Sequence, residues 1–180
     1  QDTLREMYLM GTKAFLLILI GGLFTGIILA LETGHQLDLF GAKTLVGRTV
    51  ALGMVKELGP AITGLLLAAR TGAKNASELG SMTLSEQVEA LRAFGISPNY
   101  KLVLPRTVAA FVMFLPLTLI ADIVGILGGM VITYLSFGVD TSFFWNSAIS
   151  ALRVKDLFIG FAKPFFFGFF VATISCFFGF

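Results

Sequence analysis

One cysteine (Cys176) and one histidine (His35) are all that the chain has of the softer metal ligands. That leaves no disulfide and no His/Cys metal site. With His35 alone in a polar stretch, no Ser-His-Asp set can be assembled, and no catalytic residue is expected. No G-x-x-x-x-G-K-[ST] loop occurs, so the chain has no phosphate cradle with which to hydrolyse a nucleotide itself. Charge is scarce as well: Asp, Glu, Lys and Arg make up 13% of the residues, with a net charge of +2. So small an excess, with no basic patch interleaved with aromatics, argues against nucleic acid as a partner.

What fills the sequence instead is apolar. It is 56% hydrophobic with 19 Phe and 20 Gly, and its mean hydropathy is +0.89. Soluble domains do not look like this; an all-α polytopic membrane protein does. Ala14 to Leu31 runs eighteen residues without a charge, close to the ~20 that a span needs. Gly22 and Gly26 form a GxxxG pair, and Ala121, Gly125 and Gly129 a row of small residues, both suited to close helix approach in lipid. Four spans are expected, at about 14–34, 44–69, 106–135 and 155–180, in a single transmembrane domain over 1–180. Ser136–Leu152 reads as a loop whose Phe143, Phe144 and Trp145 sit at a headgroup-belt position.

The second span is unusual. Its uncharged part, Leu58 to Ala69, covers only about 18 Å as helix, too little for a ~30 Å hydrocarbon core. The span must therefore include Arg48, Lys56 and Glu57, or break at Gly59-Pro60, where a kink is expected because Pro60 has no N–H for the Lys56 carbonyl. Asp122 falls near mid-depth of the third span and Lys163 lies inside the fourth. Charges there are costly, so Lys56, Glu57, Asp122 and Lys163 should face the protein interior or a watery cavity. Lys163 is expected to pair with Glu57 or Asp122 across helices; the alternative is that Lys56 and Lys163 only snorkel to the headgroups.

Between the second and third spans lies the most polar long segment, Glu57 to Arg106. Thr83-Leu84-Ser85-Glu86 fits a capping box, with Thr83 and Glu86 satisfying each other's backbone N–H groups. Leu84, Val88 and Leu91 then fall on one face, with Gln87, Glu89 and Arg92 on the rest. Gly95 suits a left-handed stop and Pro98 prevents continuation. A helix over 83–94 of ~16 Å is too short to span and needs something packed on its stripe. Basic residues concentrate in 70–106, which places this helix in the cytoplasm. A docking surface for a soluble partner is one reading; a loop helix lying on the bilayer is the other.

In order along the chain, Glu57-Leu58-Gly59-Pro60, Ala69-Arg70-x-Gly72-Ala73, Glu78-Leu79-Gly80-x-Met82, Glu86-Gln87, Ala90-Leu91, Gly95-Ile96-x-Pro98 and Pro105-Arg106 resemble the MlaE (YrbE) family of ABC-transporter permeases. Ala121-Asp122-x-x-Gly125-x-x-Gly128-Gly129 and Phe143-Phe144 extend the resemblance over nearly the whole chain. Two departures stand out. Lys56 takes the place of a common Arg, and the family's preceding amphipathic segment, Gly-rich loop and final span are not seen, so further sequence is expected at both ends. The resemblance implies a homodimer of permeases bound to two ATPase subunits, which would hold the ATP and Mg. It implies an MCE-domain protein on the periplasmic side, in many systems a small STAS-domain protein on the ATPase, and a phospholipid or related cargo moved between inner and outer membranes. The 83–94 helix would be the coupling helix, and the lipid cavity would lie between protomers against the first two spans. An ion-coupled carrier or channel using Glu57, Asp122 and Lys163 as a proton relay is the alternative from another class.

Overall fold

The computed structural model describes residues 2–180. Four long helices account for the apolar runs: α1 (Asp2–Leu39), α2 (Lys43–Leu84), α4 (Asn99–Phe137) and α6 (Val154–Gly179). Two short ones link them: α3 (Gln87–Ala93) between α2 and α4, and α5 (Thr141–Ala151) between α4 and α6. All four long helices are long and apolar enough to cross a membrane, and the chain is an all-α, multi-pass membrane protein.

The long helices exceed their apolar stretches. α1 has 38 residues, about 57 Å at ~1.5 Å per residue, and α2 has 42, about 63 Å. Both must project beyond a ~30 Å core or tilt within it. The polar stretch around His35, residues 32–43, is therefore mostly helix, and the chain turns only at Phe40–Ala42, with Gly41 in the left-handed region (φ 68°). His35 stands within α1, and its ring meets Phe137 edge-on at 5.3 Å.

Nor is Ser136–Leu152 a loop. It holds α5, which starts after the extended Asp140 and buries Phe144. Phe143 and Trp145 stay exposed, as a headgroup anchor requires, but Phe144 packs beside Val46, Val50 and Ala148. The three aromatics are one helical turn, so they cannot all face the same way.

The α1–α4 seam is the most extensive. A Cβ built on Gly22 would lie 2.7 Å from the Ala121 carbonyl oxygen, and one on Gly26 would overlap the Gly125 backbone. The GxxxG pair and the small-residue row thus face each other, and their backbones touch where any side chain would hold them apart. Two buried clusters form on either side of this contact. One joins Ile18, Leu67, Phe114 and Leu117, the other Ala30, Val50, Met54 and Phe144.

Candidate functional site

The two groups of residues singled out in the sequence occupy different places. The first surrounds one turn of α2. Met54–Leu58 is wound as a π-helical turn, with the Gly59 N–H donating to the Met54 carbonyl. α2 neither breaks nor ends at Gly59-Pro60. Its helix passes through the proline, and the wider turn before it absorbs the mismatch. The Lys56 carbonyl, one turn before Pro60, accepts a hydrogen bond from the Lys163 ammonium of α6.

This corrects the expected pairing. Lys163 forms no ion pair with Glu57 or Asp122 among the described residues; its ammonium donates to a backbone carbonyl that Pro60 leaves free. The carboxylate in the cluster is Asp156, from the first turn of α6. Its Oδ1 lies 3.0 Å from Lys56 Nζ, while its Oδ2 accepts from the Arg153 N–H at 3.2 Å and caps the helix. Asp156 was not singled out from the sequence. The signal was present: an acid in the first turn of a helix, seven residues before Lys163 and so on the same face.

Glu57 is exposed rather than buried, because it points away from the other described helices. Asp122 is buried, and among the described residues its Oδ1 has no hydrogen-bond partner. That oxygen sits directly over Gly59, where a Cβ would collide with it. Gly59 is thus required by close approach, beyond any role in a kink. Lys56, Asp156 and Lys163 form one connected set, with Asp122 on another side of the same turn.

The second group lies at the end of the bundle that carries residues 70–106. α3 begins later than the capping box implies. α2 continues to Leu84, and the Thr83 hydroxyl donates back to the Leu79 carbonyl at 3.0 Å instead of capping anything. Ser85 does the same to Ser81 at 2.7 Å. Glu86 precedes α3 in the left-handed region (φ 58°), with no side-chain cap. The helix therefore spans Gln87–Ala93 rather than 83–94. Its stop is as expected: Gly95 is left-handed (φ 75°), its N–H donates to Arg92, and the Ile96 N–H donates to Leu91. That pair of bonds is a Schellman motif.

The apolar stripe divides accordingly. Val88 is 3% exposed and faces its own domain, Leu91 is half-buried, and Leu84 is 89% exposed on the end of α2. Phe94, at 81% exposure, is a second large apolar side chain offered outward, flanked by Glu86, Gln87, Glu89 and Arg92. Phe94 was missed because it follows the i, i+4, i+7 pattern rather than belonging to it. The same end is tied together by ion pairs. Arg106, 5% exposed, reaches Glu78 at 3.0 Å; Lys74 lies 3.3 Å from Glu6 and 3.5 Å from Glu78; Lys101 pairs with Asp2. They fasten the projecting ends of α1, α2 and α4 to one another.

A short polar helix flanked by exposed apolar side chains is thus held on a charged face of the four-helix bundle. Residues 3–180 match the family described as Permease MlaE. The chain belongs to the MlaE permease family. It is 33% identical over 177 residues to the intermembrane phospholipid transport system permease protein MlaE of Haemophilus influenzae, covering 98% of this chain and 68% of that one. A probable ABC transporter permease protein of Rickettsia typhi is 31% identical over 177 residues, with the same coverage. The chloroplastic protein TRIGALACTOSYLDIACYLGLYCEROL 1 of Arabidopsis thaliana is 30% identical over 176 residues, which are 98% of this chain and 50% of that protein.

Proposed function

We propose that this MlaE-family chain is the membrane half of an ATP-driven lipid transporter in a bacterial inner membrane, with α3 in the cytoplasm. The cargo is a phospholipid or a related lipid moved between inner and outer membrane. A separate ABC ATPase binds ATP and Mg and docks on α3; a second copy of the chain completes the permease. An MCE-domain protein on the periplasmic side and a STAS-domain protein on the ATPase fit the same scheme. The observation that carries the reading is the exposed pair Leu84 and Phe94 around a seven-residue helix whose Val88 is anchored in the bundle. The similarity to a phospholipid-transport permease supports the cargo class.

The mechanism follows from rigidity. A push on α3 reaches the bundle through Val88 and through the ion pairs joining α1, α2 and α4. α2 is one continuous rod from that end past the Lys56 turn, so displacement at Leu84 is carried into the membrane. The proton-relay alternative has less support: Glu57 is exposed, Asp122 Oδ1 meets no partner among the described residues, and Lys163 is committed to the Lys56 carbonyl.

The test is Leu84→Asp with Phe94→Asp in the full-length protein. Burying two apolar anchors at an interface is worth enough that their loss should weaken ATPase co-purification by about tenfold or more. Lipid transfer should fall in parallel while the permease stays in the membrane. Unchanged co-purification and transfer would remove α3 as the docking element.

A further inference from the structure

Between α1 and α2, at the end that carries α3, lies a cleft of about 330 Å³ lined by Glu6, Lys13, Arg70, Thr71, Lys74 and Glu78. Its charges do not balance. Glu6 is met by Lys74, and Glu78 by Lys74 and Arg106. Two acids are thus matched by two bases. Lys13 and Arg70 are left over: among the described residues neither has an ion-pair partner, and both are exposed.

Their depth is fixed by the sequence. Lys13 immediately precedes the uncharged run Ala14–Leu31, and Arg70 immediately follows the uncharged run Leu58–Ala69. Both cations therefore sit where hydrocarbon gives way to headgroups. The cleft's other wall is apolar: Leu9, Met10 and Ala14 line it, the last two buried. A guanidinium and an ammonium at phosphate depth match an anionic headgroup, whose acyl chains would enter the hydrocarbon beside the uncharged runs that begin at Ala14 and end at Ala69.

We propose that this cleft binds the phosphate of an anionic glycerophospholipid from the leaflet at that end of the bundle. Arg70 supplies the planar fork for two phosphate oxygens and Lys13 the second positive charge. A free phosphate shares the charge chemistry but has no acyl chains to hold it at headgroup depth. The site depends on the placement of α1 and α2 across the membrane, not on ATP coupling or on what is transported.

The experiment is native mass spectrometry of the full-length protein in its purified complex. Phosphatidylglycerol, diacylglycerol and inorganic phosphate are added in separate arms. A phosphatidylglycerol adduct is expected that Lys13→Gln or Arg70→Gln weakens about fivefold each, and the double variant about 25-fold. Lys13→Arg with Arg70→Lys should retain it. Diacylglycerol should show no dependence on these residues, and millimolar inorganic phosphate should not displace the lipid. An adduct unchanged in the double variant would mean two snorkelling side chains and would overturn the site. Displacement by inorganic phosphate, with the same dependence on both cations, would overturn the lipid assignment in favour of a free-anion site. If the double variant fails to assemble, the single variants carry the same test. Lipid binding is read without transport, so its failure leaves the docking of α3 untouched.

Discussion

Pro60 has no amide hydrogen to give, and in a membrane no water is at hand to replace it. The Lys163 ammonium does so, by donating to the Lys56 carbonyl. Lys163→Met should therefore cost about 1–3 kcal/mol, the penalty of a buried acceptor left unmet. Pro60→Ala restores an N–H one turn after Lys56, so in that background the cost of Lys163→Met should shrink. Thermal unfolding of the four proteins in detergent gives the double-mutant cycle; equal costs in both backgrounds would show that Lys163 stabilises by some other route. A second prediction concerns Glu86, whose left-handed backbone is strained for a residue with a Cβ. Glu86→Gly should raise stability by about 0.5–1 kcal/mol. The need for a partner at Pro60 is readable from the sequence, because a proline's missing donor is a covalent fact. Which cation would fill it is not, since Lys163 is more than a hundred residues away and two acids looked like better partners. Asp156 shows the converse: local capping put an acid in the right place, and Lys56 used it.

Helix-scale features were legible where packing demands one residue type and obscure where local signals compete. The facing rows Gly22/Gly26 and Ala121/Gly125 could be read as small-residue seams, though not as partners of each other. Gly26→Val should push α1 off α4 and cost about 3 kcal/mol or more, read as a large fall in Tm. Gly80 provides the contrast within α2: the nearest atom to a Cβ there is 3.8 Å away. Gly80→Ala should leave Tm unchanged or raise it, by up to about 1 kcal/mol of stability. If both substitutions behave alike, close approach is not what the seam requires. The capping box at Thr83 failed for a physical reason. α2 is already a long helix with Leu79 buried beside Gly179 of α6, and extending a formed helix by one turn costs little. Thr83 and Ser85 then bond back to carbonyls of their own helix, so neither is free to start another. The stop at Gly95 survived because a left-handed glycine has no such competitor.

Across the whole molecule, the four antiparallel spans sort the charges by end. Arg5, Lys13, Arg70, Lys74, Arg92, Lys101 and Arg106 lie at the α3 end, against Lys43, Arg48, Arg153 and Lys155 at the other. Seven against four is the asymmetry that retains a loop in the cytoplasm. The contacts agree on which segments share an end: Asp2 with Lys101 and Glu6 with Lys74 join the start of α1 to the segments around α3. Orientation is therefore the property on which docking depends and which chemistry can read directly. Cys176 is buried, so it can be replaced by Ala and single cysteines introduced at exposed positions. Phe94→Cys samples the α3 end, and Phe143→Cys the α5 end, where the side chain is 52% exposed. In intact spheroplasts a membrane-impermeant maleimide should modify Phe143→Cys and leave Phe94→Cys untouched until lysis. The opposite pattern would put α3 outside the cell, out of reach of any ATP-hydrolysing partner, and the docking reading would fail with the fold intact. The lipid cleft would survive that result, since Lys13 and Arg70 would then meet the headgroups of the other leaflet.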